Sequence, residues 1–378
     1  MLREPDYRQV LYWAELLKMT PAAVLGHLAE SRLEPGEWEE FEPITFVVED
    51  GIIRSVVWDF ERLPQVPEKW QSGLSIRALG LTGTWSDSLK ALRPVLSQLE
   101  SLFCRSLKLT KLDLSQTPKL TRLRCRENQL TALDLSLVPE LTILNCNQNQ
   151  ITALDLSLVP ELTELDCGWN DLTELDLSSV PKLTKLNCGS NQLTALDLSS
   201  VPKLIKLECY DNEITELDLS SVPKLTKLNC GSNQLTELDL SLVAKLIMLE
   251  CDGNKLAVLN LSSGLSWLIC SENQLTALDL SHVPELTGLI CSENQLTALD
   301  LSHVPKLTIL NCSENQLTAL DLSLVPKLTE LRCHQNQITA LDLSLVPKRR
   351  SVPKRTELWC DKSVRLINAP ANLIVTRK

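Results

Sequence analysis

The chain is poor in glycine, aromatic residues and histidine. It has twelve glycines and four histidines in 378 residues. No Gly-rich phosphate loop is present, nor any G-x-S-x-G or H-E-x-x-H motif. No apolar run approaches the roughly 18 residues of a membrane span. The opening MLREPDYRQVLYWAELLK is charged throughout and holds no apolar stretch of signal-peptide length. Positive charge is also in deficit: the net charge of -11 disfavours broad binding to nucleic acid or to an anionic membrane. These absences point away from an enzyme, a cofactor carrier, a nucleic-acid binder and a membrane protein.

What is present is a repeat. Ten of the twelve gaps between the thirteen cysteines are 21 residues, and the other two are 19 and 27. Such a period is the mark of stacked coils, each covering its neighbour's apolar faces. One coil reads LTKLNCGSNQLTALDLSSVPK (Leu183 to Lys203). Around Leu-x-Cys the residues alternate, as in a half-buried strand, so Leu186 and Cys188 face inward while Lys185 and Asn187 face out. About fifteen positions remain to bring the chain back, too few for a helix with two connections. The return is therefore extended segments and tight turns, with Pro202 and its equivalents enforcing a turn.

The thiols have the spacing of packing residues. The closest pair is 19 residues apart, unlike the close pairs of zinc sites. In-register parallel side chains also resist the near-90° torsion of a disulfide. The cysteines are thus expected to be buried small apolar fillers. An odd number of them, without an export signal, favours a reducing compartment. The expected location is cytoplasmic, or exported without a cleavable signal peptide. The asparagine three residues after each cysteine recurs from Asn128 to Asn336 and must be hydrogen-bonded if it faces inward. A column of aspartates, Asp113 to Asp342, precedes Leu-Ser in the coils. These are turn residues accepting local N–H bonds, or stacked carboxylates whose pKa values rise unless cations sit between them. His282 and His303 share one turn position, and strand alternation points Cys333 and His334 to opposite faces, so neither pair suggests catalysis.

The pattern L-x-x-L-x-C-x-x-N-x-[LI] over roughly Leu99 to Asn336 resembles the leucine-rich-repeat motif, with Cys where Leu is commoner. The 21-residue period with a cysteine column is similar to the bacterial internalin-like proteins of the cysteine-ladder type. The resemblance implies a leucine-rich-repeat solenoid with a parallel β-sheet on its concave face, an extended and turn-rich convex side, and protein binding as its role. The chain departs from the internalins in showing no signal peptide or wall-anchoring tail.

The ends differ from the middle. Residues 1–42 read as a helical N-terminal cap or docking segment. Val10, Leu11, Trp13, Ala14 and Leu17 lie on one side of a first helix. Thr20-Pro21 caps a second, running to about Ser31. Residues 43–98 read as a hairpin, Ile44 to Val48 and Ile52 to Trp58, forming the first layer before degenerate coils at Ile76, Leu79 and Leu81. Residues 99–345 are the regular repeats. Residues 346–378 are a damaged last repeat and C-terminal cap. There a six-residue insertion clusters Lys348, Arg349, Arg350, Lys354 and Arg355, Ser363 replaces the ladder asparagine, and Leu366 to Val375 closes the core. The coil between Cys251 and Cys270 is two residues short, read as a tolerated deletion in a return loop.

The repeat leaves the outward strand positions and the two residues after cysteine unexplained. Along the stack these give Arg122 and Arg124, then Trp169, Tyr210, Met248, Glu250, Trp267, Ile269 and Ile290, and finally Arg332 and Trp359. Trp, Tyr, Arg and Met on an open surface are residue types enriched at protein interfaces. The chain is read as a non-enzymatic, monomeric protein-binding module without cofactor or metal, recognising a protein partner through the concave face. The other readings are a spacer or regulatory scaffold acting through the N-terminal helices, and a surface adhesin.

Overall fold

Alternation sets each strand. In Lys185–Asn187 the central Leu186 is buried, as is Cys188 just beyond it, whereas Lys185 is exposed and Asn187 half-buried. The computed structural model describes residues 2–25, 44–50, 52–59, 74–82, 96–344, 357–369 and 373–378. The extension of the second helix to Ser31, His27 and the basic cluster Lys348 to Arg355 lie outside the described residues. The chain forms two compact units, Met1–Leu183 and Thr184–Lys378.

The first unit opens with α1 (Glu4–Leu17), whose buried face is Asp6, Gln9, Val10, Trp13 and Ala14. That is the i, i+3, i+4, i+7 stripe of an amphipathic helix. Leu11, expected on this face, is 40% exposed, because one step beyond Val10 turns a side chain about 100° round the axis. The polar Asp6 takes a place on the stripe instead. Its carboxylate is fully buried and accepts the Ile53 N–H at 2.9 Å and Arg3 Nε at 3.1 Å, the pairing that a buried charge requires. Trp13 packs against Phe46 and Trp58, with ring centroids 5.7 and 6.2 Å apart. The next helix, α2 (Pro21–Leu25), begins as expected, with Ala23 N–H donating to Thr20 Oγ1 at 3.1 Å. The antiparallel hairpin β1 (Ile44–Glu49) and β2 (Ile52–Asp59) is the first layer. From β2 the sheet runs in parallel through β3 (Ala78–Thr82), β4 (Ser101–Cys104), β5 (Arg122–Arg124), β6 (Ile143–Asn145) and β7 (Glu164–Asp166). Ile76, Leu79, Leu81, Leu99, Leu102 and Cys104 are all buried.

The second unit continues the same design. Its parallel strands are β8 (Lys185–Asn187), β9 (Lys206–Glu208), β10 (Lys227–Asn229), β11 (Met248–Glu250), β12 (Trp267–Ile269), β13 (Gly288–Ile290), β14 (Ile309–Asn311) and β15 (Glu330–Arg332). After β16 (Ala340–Asp342), strand β17 (Glu357–Cys360) pairs with β15. Then β18 (Arg365–Ile367) pairs with β16, and β19 (Ile374–Arg377) with β17. The last segment closes the core less than its sequence suggests. Val364 is buried, but Leu366 is half-buried and Ile374 is 38% exposed, so β19 joins mainly through backbone pairing. A side chain finishes the ladder here: Asp361 accepts the Gln335 N–H at 2.9 Å and the Asn336 N–H at 3.4 Å. One coil earlier the equivalent N–H groups of Glu314 and Asn315 donate to the carbonyls of His334 and Gln335.

Three columns recur from coil to coil. All thirteen cysteines are free and buried. Each ladder asparagine ties two coils. Asn233 Nδ2 donates to the carbonyls of Cys209, Cys230 and Gly231 at 3.0–3.2 Å, while its Oδ1 accepts the Ile214 N–H at 3.0 Å. The aspartates are exposed turn residues. Asp218 Oδ1 accepts the Ser220 N–H at 2.8 Å, and that bond lowers its pKa where stacked carboxylates alone would have raised it. The return path is extended with tight turns, such as Val201 N–H to Leu198 C=O at 3.1 Å and Leu204 N–H to Val201 C=O at 3.0 Å.

Candidate protein-binding surface

Parallel, in-register pairing turns outward positions into columns. In the second unit Met248, Trp267, Gly288 and Ile309 are successive partners in one column, and Glu250, Ile269, Ile290 and Asn311 in the other. Strands stack about 4.8 Å apart, so Met248, Trp267, Ile269, Ile290 and Ile309 form one contiguous apolar patch. None is open to solvent in the way the sequence suggests: all five are half-buried. Trp267 is held down by a notch. A Cβ on Gly288 would stand 2.3 Å from the Trp267 ring, so the indole lies over the glycine. Tyr210 is placed in the same way over Gly189, where a Cβ would meet its ring at 2.5 Å. Gly288 and Ile309 escaped the sequence reading. The available signal was a glycine in a strand column of a glycine-poor chain.

Charge borders the patch. On the β9–β11 side stand Glu208, Glu250 and Asp252. Burial, and then the charges of Asp252 and Glu208, raise the Glu250 carboxyl above its ordinary pKa. Its oxygen accepts Asn229 Nδ2 at 2.7 Å. Lys206, in the row Lys185, Lys206, Lys227, pairs with Glu208 at 2.7 Å. On the other side Arg332 lies 4.7 Å over the Trp359 ring and pairs with Glu330 at 2.9 Å. His334, next in sequence to the buried Cys333, is itself buried rather than surface-exposed, and its Nε2 lies 3.2 Å from Lys378 Nζ.

The remaining predicted residues are in the first unit. Arg122 donates from Nε to Ser101 Oγ at 2.9 Å, and Arg124 lies 5.5 Å over the Phe103 ring; both are half-buried. Trp169 is 52% exposed at a left-handed turn position with φ 53°. Thus Met248, Glu250, Trp267, Ile269 and Ile290 come together, Arg332 and Trp359 form a pair, and Arg122 and Arg124 form a separate basic edge. Among the described residues no cluster of three His, Cys, Asp or Glu side chains could hold a metal ion, and no helix is long and apolar enough to cross a membrane.

Buried leucine and cysteine columns, an asparagine ladder and a parallel sheet together define a leucine-rich-repeat solenoid with a cysteine ladder. No family model and no curated protein matches the chain, but solved structures do. The functional domain of InlJ from Listeria monocytogenes, which includes a cysteine ladder, is 36% identical over 78% of this chain, with a TM-score of 0.69. The chain spans 64% of that InlJ chain. YopM from Yersinia enterocolitica is 22% identical over 93% of this chain and 91% of its own, with a TM-score of 0.59. The plant peptide hormone receptor RGFR1, solved in complex with RGF2, is 23% identical over 79% of this chain and 51% of its own, with a TM-score of 0.59. At those identities the last two share the fold alone.

Proposed function

We propose that the chain is a non-enzymatic module that binds a protein partner through the outward face of its sheet. The carrying observation is the patch of Met248, Trp267, Ile269, Ile290 and Ile309, bordered by carboxylates on one side and by Arg332 and Trp359 on the other. A half-buried aromatic centre with a charged rim is the composition of an interface hot spot. The same fold in RGFR1, solved with RGF2, agrees with this reading. The thiols, all buried and free, favour a reducing location. The rival reading, action through α1, has less surface to draw on. That helix spends its apolar face on the hairpin and leaves Tyr7 and Leu11 outside at 43% and 40% exposure.

The test is quantitative capture with the full chain, comparing wild type, Trp267→Ala with Ile290→Ala, and Tyr7→Ala with Leu11→Ala. Loss of a central anchor costs about 2 kcal/mol, roughly 30-fold in affinity. A protein captured by wild type should therefore be lost from the sheet variant and kept by the helix variant, with both variants folded by circular dichroism at the capture temperature. The opposite pattern would transfer the function to the N-terminal helix.

A further inference from the structure

The shortened coil does more than tolerate a deletion. Strand register passes through it unbroken, Met248 opposite Trp267 and Trp267 opposite Gly288. The two missing residues therefore come out of the return segment. Leu265 N–H donates to the Ser262 carbonyl at 3.2 Å, as Leu246 N–H donates to that of Val243. Ser262 is buried with its Oγ 3.2 Å from the Val243 carbonyl, so it stands in for the valine of other coils. What is absent is the equivalent of Ser241 and Leu242, the outer part of one turn.

The gap is a cavity of about 530 Å3, within the range of ligand clefts. Leu242, 57% exposed, and Val258, 65% exposed, are its apolar walls. Leu158 holds the position of Leu242 in a coil followed by one of full length; only beside Leu242 is the next turn missing. Val258 likewise replaces the glutamates that the two preceding coils carry at its position, Glu216 and Glu237. Those two carboxylates and the turn aspartates Asp218 and Asp239 supply the charge, and among the described residues no Lys, Arg or His lines the space. Their uncompensated negative charge beside two apolar side chains selects for the converse pair in a ligand.

We propose that this notch, on the return side of the coils and separate from the sheet patch, docks a short protein segment presenting a Lys or Arg next to an apolar side chain. The probe is a random peptide display library panned on the full chain at low salt, followed by anisotropy on the enriched peptides. The expected result is enrichment of sequences with a basic residue beside Leu, Val, Ile or Phe. Three variants should weaken binding at least 10-fold. One inserts Ser-Leu between Leu261 and Ser262, restoring the period. A second, Leu242→Ser with Val258→Ala, uses residues that other coils already carry, Ser221 and Ala277, removes the apolar walls without adding charge, and guards against misfolding of the insertion. The third, Glu216→Gln with Glu237→Gln, should also flatten the salt dependence. Trp267→Ala should leave peptide affinity within 2-fold, so failure here and failure of the sheet-face reading are separable. Absence of such enrichment, equal binding to the filled notch, or loss of binding in Trp267→Ala would each overturn the assignment.

Discussion

The buried thiols make alkaline pH a measure of the core. In the second unit, burial raises the pKa of Cys209, Cys230, Cys251, Cys270, Cys291, Cys312, Cys333 and Cys360, with Cys209 and Cys270 pushed up to about 12. An unfolded cysteine ionises near pH 8.5. Above that pH the folded chain holds protons that the unfolded chain has released, so stability falls as pH rises. The loss begins near 8.5 and continues towards 12. At pH 9.5 each of the seven thiols from Cys209 to Cys333 costs about 1.4 kcal/mol relative to pH 7, and together they cost about 10 kcal/mol, comparable to the whole stability of an ordinary domain. Urea unfolding followed by circular dichroism at pH 7.0, 8.5 and 9.5, under a phosphine reductant, measures this directly. Cys230→Ala with Cys251→Ala isolates the thiol share. The pair should lose stability at pH 7 but shed about 2.8 kcal/mol of the pH-dependent loss. Wild-type stability constant to within about 2 kcal/mol from pH 7 to 9.5 would mean the sulfurs are not sealed from water, and the packing described above would be refuted.

Two further perturbations test the other columns. Asn233→Ala strands the Ile214 N–H and three carbonyl contacts in a buried site and should cost about 2–3 kcal/mol in urea unfolding; a cost under about 0.5 kcal/mol would show that the ladder amide adds little net stability. Glu293 holds φ 55° between Glu272 and Glu314, and loss of solvent, then the charges of those two neighbours, raises its pKa. Glu293→Gly should therefore raise stability by about 1 kcal/mol, since glycine alone takes a left-handed conformation without steric cost; a lower melting temperature would contradict this.

Spacing alone made the repeat interior legible. Leu186 and Cys188 inward and Asn233 bridging coils follow from residue type at a fixed position, and Asp218, serving its own turn, takes the first of the two roles its spacing allowed. What escaped depends on a neighbour in another coil or element. Trp267 is half-buried because Gly288, 21 residues later, has no side chain to displace it. Ile309 joins the patch because it is two partners along the same column. Asp6 is buried because a backbone N–H 47 residues away needs an acceptor. A linear reading treats such residues one at a time, whereas folding the sequence on its 21-residue period brings Trp267, Gly288 and Ile309 side by side.

The deletion also shows how one coil can serve two surfaces. Sheet register is fixed by backbone pairing and by the leucine and cysteine columns, all unaltered through β11, β12 and β13. The return turns carry no such register, because each Asp–Ser turn closes on itself, as in Asp218 with Ser220 and Asp239 with Ser241. Removing two residues there alters only the outer side, with Asn260 where the other turns carry aspartate. The strand side, with Met248 and Trp267 at either end of the same shortened coil, is undisturbed. Substitutions at Val258 in the notch and Trp267 in the patch, nine residues apart in the same coil but on its return and strand sides, should therefore add in their effects on stability, because no side chain is shared between them. A coupling above about 0.5 kcal/mol in a double-mutant cycle of Val258→Glu and Trp267→Ala would show that the shortened coil transmits strain from one side to the other.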